Sequence, residues 1–525
     1  MPTLRGDTAA LGFEVASALR ARLASDLDIR ALMVVPESAI TKALVEAGFA
    51  PRQALAPAEN RQLASQFQAD EFVDGSVRRT ADGGVHVELG LAIGRRDDLV
   101  QPLPPVEGRK VSDVARLLSQ EVQLARKQIE SVRTCMDQAR AGDYAKAIVA
   151  AQKALAVYPR SSLARVCLAN VYAGRGDAPD SVIRIADEIL AVDPGNRRAL
   201  ALSADALVAA GRRADATERL VQLADKDSAD VPVVERAARA LAEAKAFARA
   251  DSLLLRGLRV NPSDPPLLAL RWRVALARGD WPGATAIGRE LVSVDSAAAD
   301  ADFYRRMAAA FVEDSQPSEA AAIAGEGARK FPVDDELALL EIQLLRRSGQ
   351  PQKAIEAANR LIALRPQVRT VWIHRARPEA ELKAPADSVL ASLAQSVAAG
   401  DDTALVAGYA ATLGQSASRT AQASKSLDDF RTAVRYFAFA ERTMPRDTTA
   451  FLLGAAHVAL GQQLYVHARE EKNCSQAKEM QDALAEAQVQ LTRGGRAFPD
   501  LAAQLLARVA EVSPYARQLE RAVCH

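Results

Sequence analysis

Aromatic residues are scarce. Thirteen Phe, 8 Tyr and 3 Trp make up 5% of the 525 residues. A β-rich fold leans on aromatic and β-branched side chains, so this scarcity, beside abundant alanine, favours closely packed helices. Charge of one sign is lacking too. The 67 Lys+Arg against 66 Asp+Glu leave a formal net charge of +1, which excludes the strongly basic balance of a bulk nucleic-acid binder. No nucleic-acid partner is expected. Long hydrophobic runs are missing: stretches such as 308–312 and 320–324 fall far short of the ~20 residues of a membrane span, so no integral span is expected. Residues 2–7 lead straight into an amphipathic stretch, which does not read as a secretory leader. The chain reads either as cytoplasmic or as an export-competent segment without its leader or anchor.

Chemistry-bearing patterns are equally thin. There are 5 His and 4 Cys, and none falls in a His-Glu-x-x-His or Cys-x-x-Cys setting. His457 and His467 stand ten residues apart, which places them on different sides of a helix. They read as solvated helix histidines, and His86 reads as an outward strand position. No Gly-x-Ser-x-Gly elbow and no Walker-type phosphate loop occurs. Gly279-Asp280-Trp281 is a turn between helices. The carboxylates are spread over helical faces, with no pocket to pair them in. The expectation is a non-enzyme with no cofactor and no metal site.

What remains is ordinary globular material: 49% hydrophobic and 25% charged. Its length fits about three domains or one long repeat array. The texture changes near residue 127. Before it, helix and strand signals mix. Residues 9–24 place Leu11, Val15, Leu19 and Leu23 on one helical face. The apolar run 31–36 ends at a proline and reads as a buried strand. Residues 38–47 and 58–68 read as helices. Residues 71–79 and 85–93 flank an Asp-Gly-Gly turn, and Val85, Val87, Leu89 and Leu91 alternate with His86, Glu88 and Gly90, which reads as a hairpin. An extended segment follows at 98–103, closed by Pro102, Pro104 and Pro105. A helix then starts near Ser112, read as its N-cap, ahead of Val114, Leu117 and Leu118.

After residue 127 the chain is helical and repeats itself. The windows GDYAKAIVAAQKALAVYP (142–159), KAFARADSLLLRGLRVNP (245–262), SQPSEAAAIAGEGARKFP (315–332) and GQPQKAIEAANRLIALRP (349–366) align without gaps. Each has alanine sixth (Ala147, Ala250, Ala320, Ala354) and proline last. Tyr144 or Phe247 stands third in two of them, and proline in the others. The period is near 34, the spacing of helix-hairpin repeats. A small residue at the sixth position lets two antiparallel helices approach closely, and the proline ends the second helix. Each hairpin exposes an apolar face until a neighbour stacks on it.

These windows resemble tetratricopeptide repeats. Tyr172 fits the aromatic slot of the first helix, Trp372 its opening tryptophan, and Ala147, Ala151 and Ala154 the small-residue positions of the second helix. The resemblance implies about nine or ten units. Some are degenerate: the unit ending near Asp227 lacks its proline, the one with Trp281 ends at Asp295-Ser296, and units after residue 369 carry insertions. Trp272 falls where a small residue is expected, so either the register slips there or the indole fills a gap between repeats. The first region, through Asp70 to Arg79, Gly83-Gly84 and the strand ending at Ile93, resembles the TolB amino-terminal-like domain that precedes such arrays in bacterial proteins. That resemblance implies an apolar strand ahead of the first helix. The chain begins at or after that point, so the sheet is expected to lack an edge strand or to borrow one. The tail, with Asn473-Cys474-Ser475 opening a helix, then helices at 503–512 and 515–524, resembles the closing segment of extracytoplasmic bacterial repeat proteins.

The implied organisation is mainly α: a TolB-like α/β domain at 1–126, a tetratricopeptide-type right-handed α-solenoid at 127–500, and capping helices at 501–525. Within it, Cys474 and Cys524 can meet, and a bridge there would fasten the last helix. Cys135 and Cys167, in the first helices of adjacent repeats, are also candidates for a bridge. The alternative is four small buried thiols. A bridge would imply an oxidising compartment, hence a periplasmic or extracytoplasmic location, with a cytoplasmic one as the alternative.

In tetratricopeptide arrays the first helices line the concave face, where partners bind. By register the inward positions include Asn170, Asp205, Glu235, Arg236, Arg239, Arg273, Arg305, Arg306, Gln343 and Arg346. This arginine-rich stripe suits an acidic or carboxylate-ended peptide. The competing reading has the arginines solvated or paired with carboxylates on their own helices. The family's carboxylate-clamp pattern of lysines and asparagines is not reproduced. The expected function is a protein–protein interaction scaffold binding a protein or peptide. The alternatives are a sensory or regulatory portion of a larger bacterial signalling protein, such as a receptor-type kinase or cyclase, and a self-assembling subunit. Association with itself or with a membrane complex fits the last.

Overall fold

Where apolar residues alternate, the chain makes its sheet. In the computed structural model, which describes residues 1–27, 32–93, 99–226 and 228–524, the first elements are β1 (Arg5–Gly6), α1 (Ala9–Asp26), α2 (Glu37–Glu46), α3 (Pro57–Gln66), β2 (Glu71–Arg79) and β3 (Val85–Ile93). β2 and β3 pair antiparallel from Glu71↔Ile93 to Arg79↔Val85. At their turn Gly83 has φ 83°, a left-handed conformation that glycine adopts without strain. β4 (Val100–Pro102) and β5 (Val106–Gly108) both pair with β3, giving the order β1-β2-β3-β4 with β5 beside β3. α4 (Val111–Arg126) follows.

α1 and α4 cover one face of the sheet. Leu11, Val15, Leu19 and Leu23 from α1 and Val114, Leu118 and Val122 from α4 are buried against Val73, Val77, Val87, Leu89 and Leu91. The same core continues into Val132, Ala154, Tyr158, Leu163 and Ala164 of the following helices. Two local expectations need correction. The run 31–36 is not a strand: Ala31 lies outside the described residues, residues 32–36 carry no regular structure, and Met33 is 75% exposed. The place beside β2 is taken by β1, which pairs with it in parallel, Arg5 to Ser76 and Gly6 to Val77. α4 begins at Val111 with Lys110 as N-cap, so Ser112 lies inside its first turn.

The chain divides into two units, Met1–Val274 and Ala275–His525. Beyond the sheet, the first unit consists of helical hairpins: α5 (Ile129–Arg140) with α6 (Tyr144–Val157), α7 (Ser162–Arg175) with α8 (Pro179–Val192), α9 (Arg197–Ala209) with α10 (Arg213–Lys226), and α11 (Val231–Glu243) with α12 (Phe247–Val260). α13 (Pro265–Arg278) runs to its end and past it. The second unit holds α14 (Trp281–Val294), α15 (Ala301–Glu313) with α16 (Pro317–Lys330), α17 (Asp335–Arg347) with α18 (Pro351–Leu364), and α19 (Val371–Glu381) with α20 (Ala386–Ala398). Longer helices follow: α21 (Thr403–Ser424) with α22 (Leu427–Thr443), α23 (Asp447–Glu471) with α24 (Cys474–Gly494), and finally α25 (Pro499–Val523).

The sequence windows acquire physical reasons here. Their first residues, Gly142, Lys245, Ser315 and Gly349, all sit at positive φ (78, 59, 58 and 73°) in the turn between the two helices. Two glycines meet that demand freely, and Lys245 and Ser315 meet it under strain. Ala147, Ala250, Ala320 and Ala354 are all 0% exposed, so any larger side chain there would push the helices apart. The second helices end at Val157, Val260, Lys330 and Leu364, two residues before each proline. Trp272, the residue out of register, is a buried core side chain.

At the tail, the two segments expected at 503–512 and 515–524 merge into the single helix α25, which runs through Pro514. Buried Val509 and Ala516 anchor it on either side of the proline. Among the described residues no helix is long and apolar enough to cross a membrane.

Candidate protein-interaction surface

Within each unit, first helices touch first helices: α5 with α7 and α7 with α9 in the first, α15 with α17 and α17 with α19 in the second. Their outward side chains therefore form surfaces that belong to no single hairpin. Every residue expected on the inward face lies on a first helix, at a half-buried or exposed position. In the first unit these are Asn170 on α7, Asp205 on α9, Glu235, Arg236 and Arg239 on α11, and Arg273 on α13. In the second they are Arg305 and Arg306 on α15, and Gln343 and Arg346 on α17.

The arginines are mostly engaged. Asn170 Oδ1 accepts from Arg198 Nε at 3.1 Å. Arg236 reaches back one hairpin to Asp205 at 2.6 Å, and Arg239 pairs with Glu235 on its own helix. Arg305 reaches forward to Asp334 at 2.7 Å, and Arg306 pairs with Asp302 at 2.6 Å. Arg346 pairs with Glu381 of α19 at 2.8 Å, while Gln343 meets His374 Nε2 at 3.2 Å. Arg273 is exposed, and among the described residues no carboxylate stands within ion-pair distance of it. Most of the stripe is therefore a lattice of ion pairs one repeat long or one helical turn long. Asp334 shows the double duty this brings: it N-caps α17, accepting from Leu337 N, while it holds Arg305. Its pKa is lowered by the Leu337 amide and by Arg305, against the opposing effect of burial.

Four groups escaped the sequence reading. His374 is half-buried and held neutral, down to about 4, by desolvation first and then by Arg377 and Arg346. His86 is not an exposed strand histidine. It is 8% exposed, with Nδ1 2.6 Å from Glu107 Oε1 and Nε2 3.0 Å from Glu88 Oε1, and these hydrogen bonds, Glu88 first, raise its pKa. β5 brings Glu107 alongside, and a three-residue strand gives little warning in sequence. His457 is half-buried rather than solvated, and burial lowers its pKa. His467 is half-buried as well, with Nδ1 3.2 Å from Glu471 Oε1.

Both candidate cysteine pairs stand at bonding distance: Cys135–Cys167 with S–S 1.96 Å and Cys474–Cys524 with S–S 2.08 Å. No cysteine is left free. Among the described residues no group of three His, Cys, Asp or Glu side chains is placed to hold a metal ion.

Family models and curated protein sequences give no match to this chain. Solved structures do. YrrB, a tetratricopeptide repeat protein with an unusual peptide-binding site, is 13% identical with a TM-score of 0.29, over 35% of this chain and 93% of that one. A tetratricopeptide repeat protein from Parabacteroides merdae is 13% identical with a TM-score of 0.28, over 48% of this chain and 99% of that one. Naa15/Naa10 bound to HypK-THB is 12% identical with a TM-score of 0.43, over 75% of this chain and 68% of that one. The hairpins described above, with their left-handed turn, buried alanine and terminal proline at a common spacing, make the chain a mainly α protein: a tetratricopeptide-type α-solenoid preceded by a small α/β domain.

Proposed function

We propose that this chain is a non-catalytic scaffold that binds protein or peptide partners on the first-helix faces of its hairpins. One observation carries the reading: first helices of successive hairpins abut, so their polar side chains make a surface shared between repeats. Such a surface can follow an extended or helical segment of a partner, with affinity concentrated in a few Arg or aromatic anchors. In the first unit Arg273 is the anchor to test. It is an exposed guanidinium with no carboxylate within ion-pair distance among the described residues, one repeat along from Arg239. An acidic segment laid across α11 and α13 would pair with Arg273 and compete with Glu235 for Arg239.

We further assign residues 1–126 to a TolB amino-terminal-like domain and the chain to an extracytoplasmic bacterial compartment. Support for the compartment comes from the pairing of all four cysteines, since disulfides persist where the milieu is oxidising. Co-purification of partners with the wild-type chain and with the Arg239→Glu, Arg273→Glu double variant tests the scaffold reading. Reversing both charges should remove the acidic partner while leaving the helical content unchanged. Equal recovery of the same partner by both proteins would refute the first-helix face as its binding surface.

A further inference from the structure

On the second unit's first-helix face, one carboxylate stands near two guanidiniums and pairs with only one of them. Arg377 of α19 is half-buried, and its guanidinium lies over the ring of Tyr409 on α21, 5.5 Å from the centroid. Among the described residues no carboxylate stands within ion-pair distance of it. Its natural helical partner, Glu381 four residues on, is taken by Arg346 of α17 at 2.8 Å. A partly desolvated guanidinium has lost some of its water and gained no counter-charge, a cost that a paired carboxylate recovers.

The neighbourhood reports the same imbalance. His374, one turn before Arg377, is pushed down to about 4 by burial first, then by Arg377 and Arg346, with Asp401 opposing. Its Nε2 faces Gln343 Nε2 at 3.2 Å. An amide NH2 only donates, so the neutral imidazole accepts there and carries its proton on Nδ1. Burial, chiefly, pushes the Tyr409 hydroxyl up to about 12, so it stays protonated and can donate.

A second, independent feature lies on α21. Gly408 sits in the interior of this 22-residue helix, where glycine is costly relative to alanine. A Cβ built there would meet nothing within 4 Å, so packing within the chain does not require a glycine. Leu405, one turn before Tyr409, is 44% exposed. Bare backbone, an open leucine, an aromatic ring and an uncompensated cation thus lie side by side.

We propose that the face formed by α17, α19 and α21 binds a carboxylate of a partner polypeptide at Arg377, with the bound chain lying close over Gly408 and Leu405. The inference rests on the scaffold reading and names the chemistry that one stretch of the surface recognises. The carboxylate takes the bidentate position on Arg377 that Glu381 leaves empty. Tyr409 supplies a neutral donor beside it. Gly408 lets the backbone approach where any side chain would hold it off.

Two probes separate the sources of a carboxylate: acetyl-pentaglutamate amide carries side-chain carboxylates, and acetyl-pentaalanine with a free terminus carries only the chain end. Acetyl-pentaalanine amide is the blank. The full chain, labelled at histidine Cε1, is titrated by NMR between about pH 5 and 8 with each probe. Without a carboxylate, His374 does not titrate in that window. With either carboxylate probe bound, its pKa moves up by about one to three units, as expected for a new negative charge within reach. Arg377→Gln should weaken binding by about tenfold or more and abolish the probe-induced shift. Gly408→Gln should weaken binding too while leaving the thermal midpoint the same or higher. Failure of both carboxylate probes to bind at about millimolar concentration, or unchanged binding by Arg377→Gln, would overturn the proposal. If that happens while the Arg239→Glu, Arg273→Glu variant still loses its partner, this site is wrong and the scaffold reading stands.

Discussion

Gln101 is the side chain whose removal should be felt furthest. It is 0% exposed on β4, and every polar atom of its amide is engaged. Nε2 donates to the Pro102 carbonyl at 2.8 Å and to the Arg160 carbonyl at 3.1 Å. Oε1 accepts from Ser162 N at 3.0 Å and from Gln128 Nε2 at 3.2 Å. Ser162 opens α7, so its amide is one of the helix-end donors without an intrahelical partner. A strand residue of the α/β domain thus caps a helix of the second hairpin. Gln101→Ala strands the Ser162 amide and the Gln128 side chain, both buried, and opens a cavity. Each stranded group costs about 1–3 kcal/mol, which puts the loss at about 2–6 kcal/mol for the joint. The assay is hydrogen exchange with mass spectrometry on the full chain. Gln101→Ala should speed exchange in 99–103 and 158–171 together, leaving α17 to α20 unchanged. A variant that loses less than about 1 kcal/mol, or that loosens only the strand side, would refute the claim that the sheet and the first hairpins are one cooperative block.

Other perturbations have definite signs. His86 has its folded pKa raised above the ordinary histidine value of about 6.5. The stability it contributes is fully present below that value and is lost as pH rises through the folded pKa. Stability of wild type against His86→Gln, followed between about pH 6 and 9, should therefore converge at the alkaline end, and a constant gap would contradict the Glu88–His86–Glu107 clamp. Ser315→Gly should raise stability by up to about 1 kcal/mol and Gly349→Ala should lower it by about as much, because both turns need a left-handed residue. Thermal melts of the two variants check the pair. Replacing Cys474 and Cys524 by serine opens a 50-residue separation and should cost roughly 4 kcal/mol in the chain-entropy picture. A thiol assay on unfolded, unreduced wild type should find no free cysteine, and four would remove both bridges. Ala354→Leu should cost about 1–3 kcal/mol by overpacking a closed helix pair, read as a lowered urea midpoint.

Legibility in the sequence followed the range of the forces involved. β2 and β3 emerge with the bounds that their alternation and Asp-Gly-Gly turn imply. The hairpins emerge because a positive-φ turn residue, a buried alanine and a stop proline recur at one spacing. All three are local demands; the alanine and the proline mark every window, and the turn shows as glycine in two of the four. The run 31–36 misled because apolarity alone cannot say whether a strand finds a partner, and Arg5–Gly6 holds that edge. That the stripe residues lie on first helices was legible. The stripe's charge state was not, because the partners of Arg236, Arg305 and Arg346 lie roughly one repeat away. Arg377 was invisible for the complementary reason: a glutamate four residues on looks like its partner until Arg346 is seen to hold it. Gln101 gave no signal at all, since a glutamine buried by long-range contacts reads in sequence like one on the surface.

Nearest-neighbour stacking is the claim on which everything else depends, and pulsed hydrogen exchange across a urea series tests it most directly. Hairpins that touch only their neighbours should lose protection in blocks of whole hairpins at different urea concentrations, with the sheet, α5, α6 and the start of α7 as one block. Loss of protection at a single urea concentration throughout, from the sheet to α25, would mean that distant segments share one core and would contradict it.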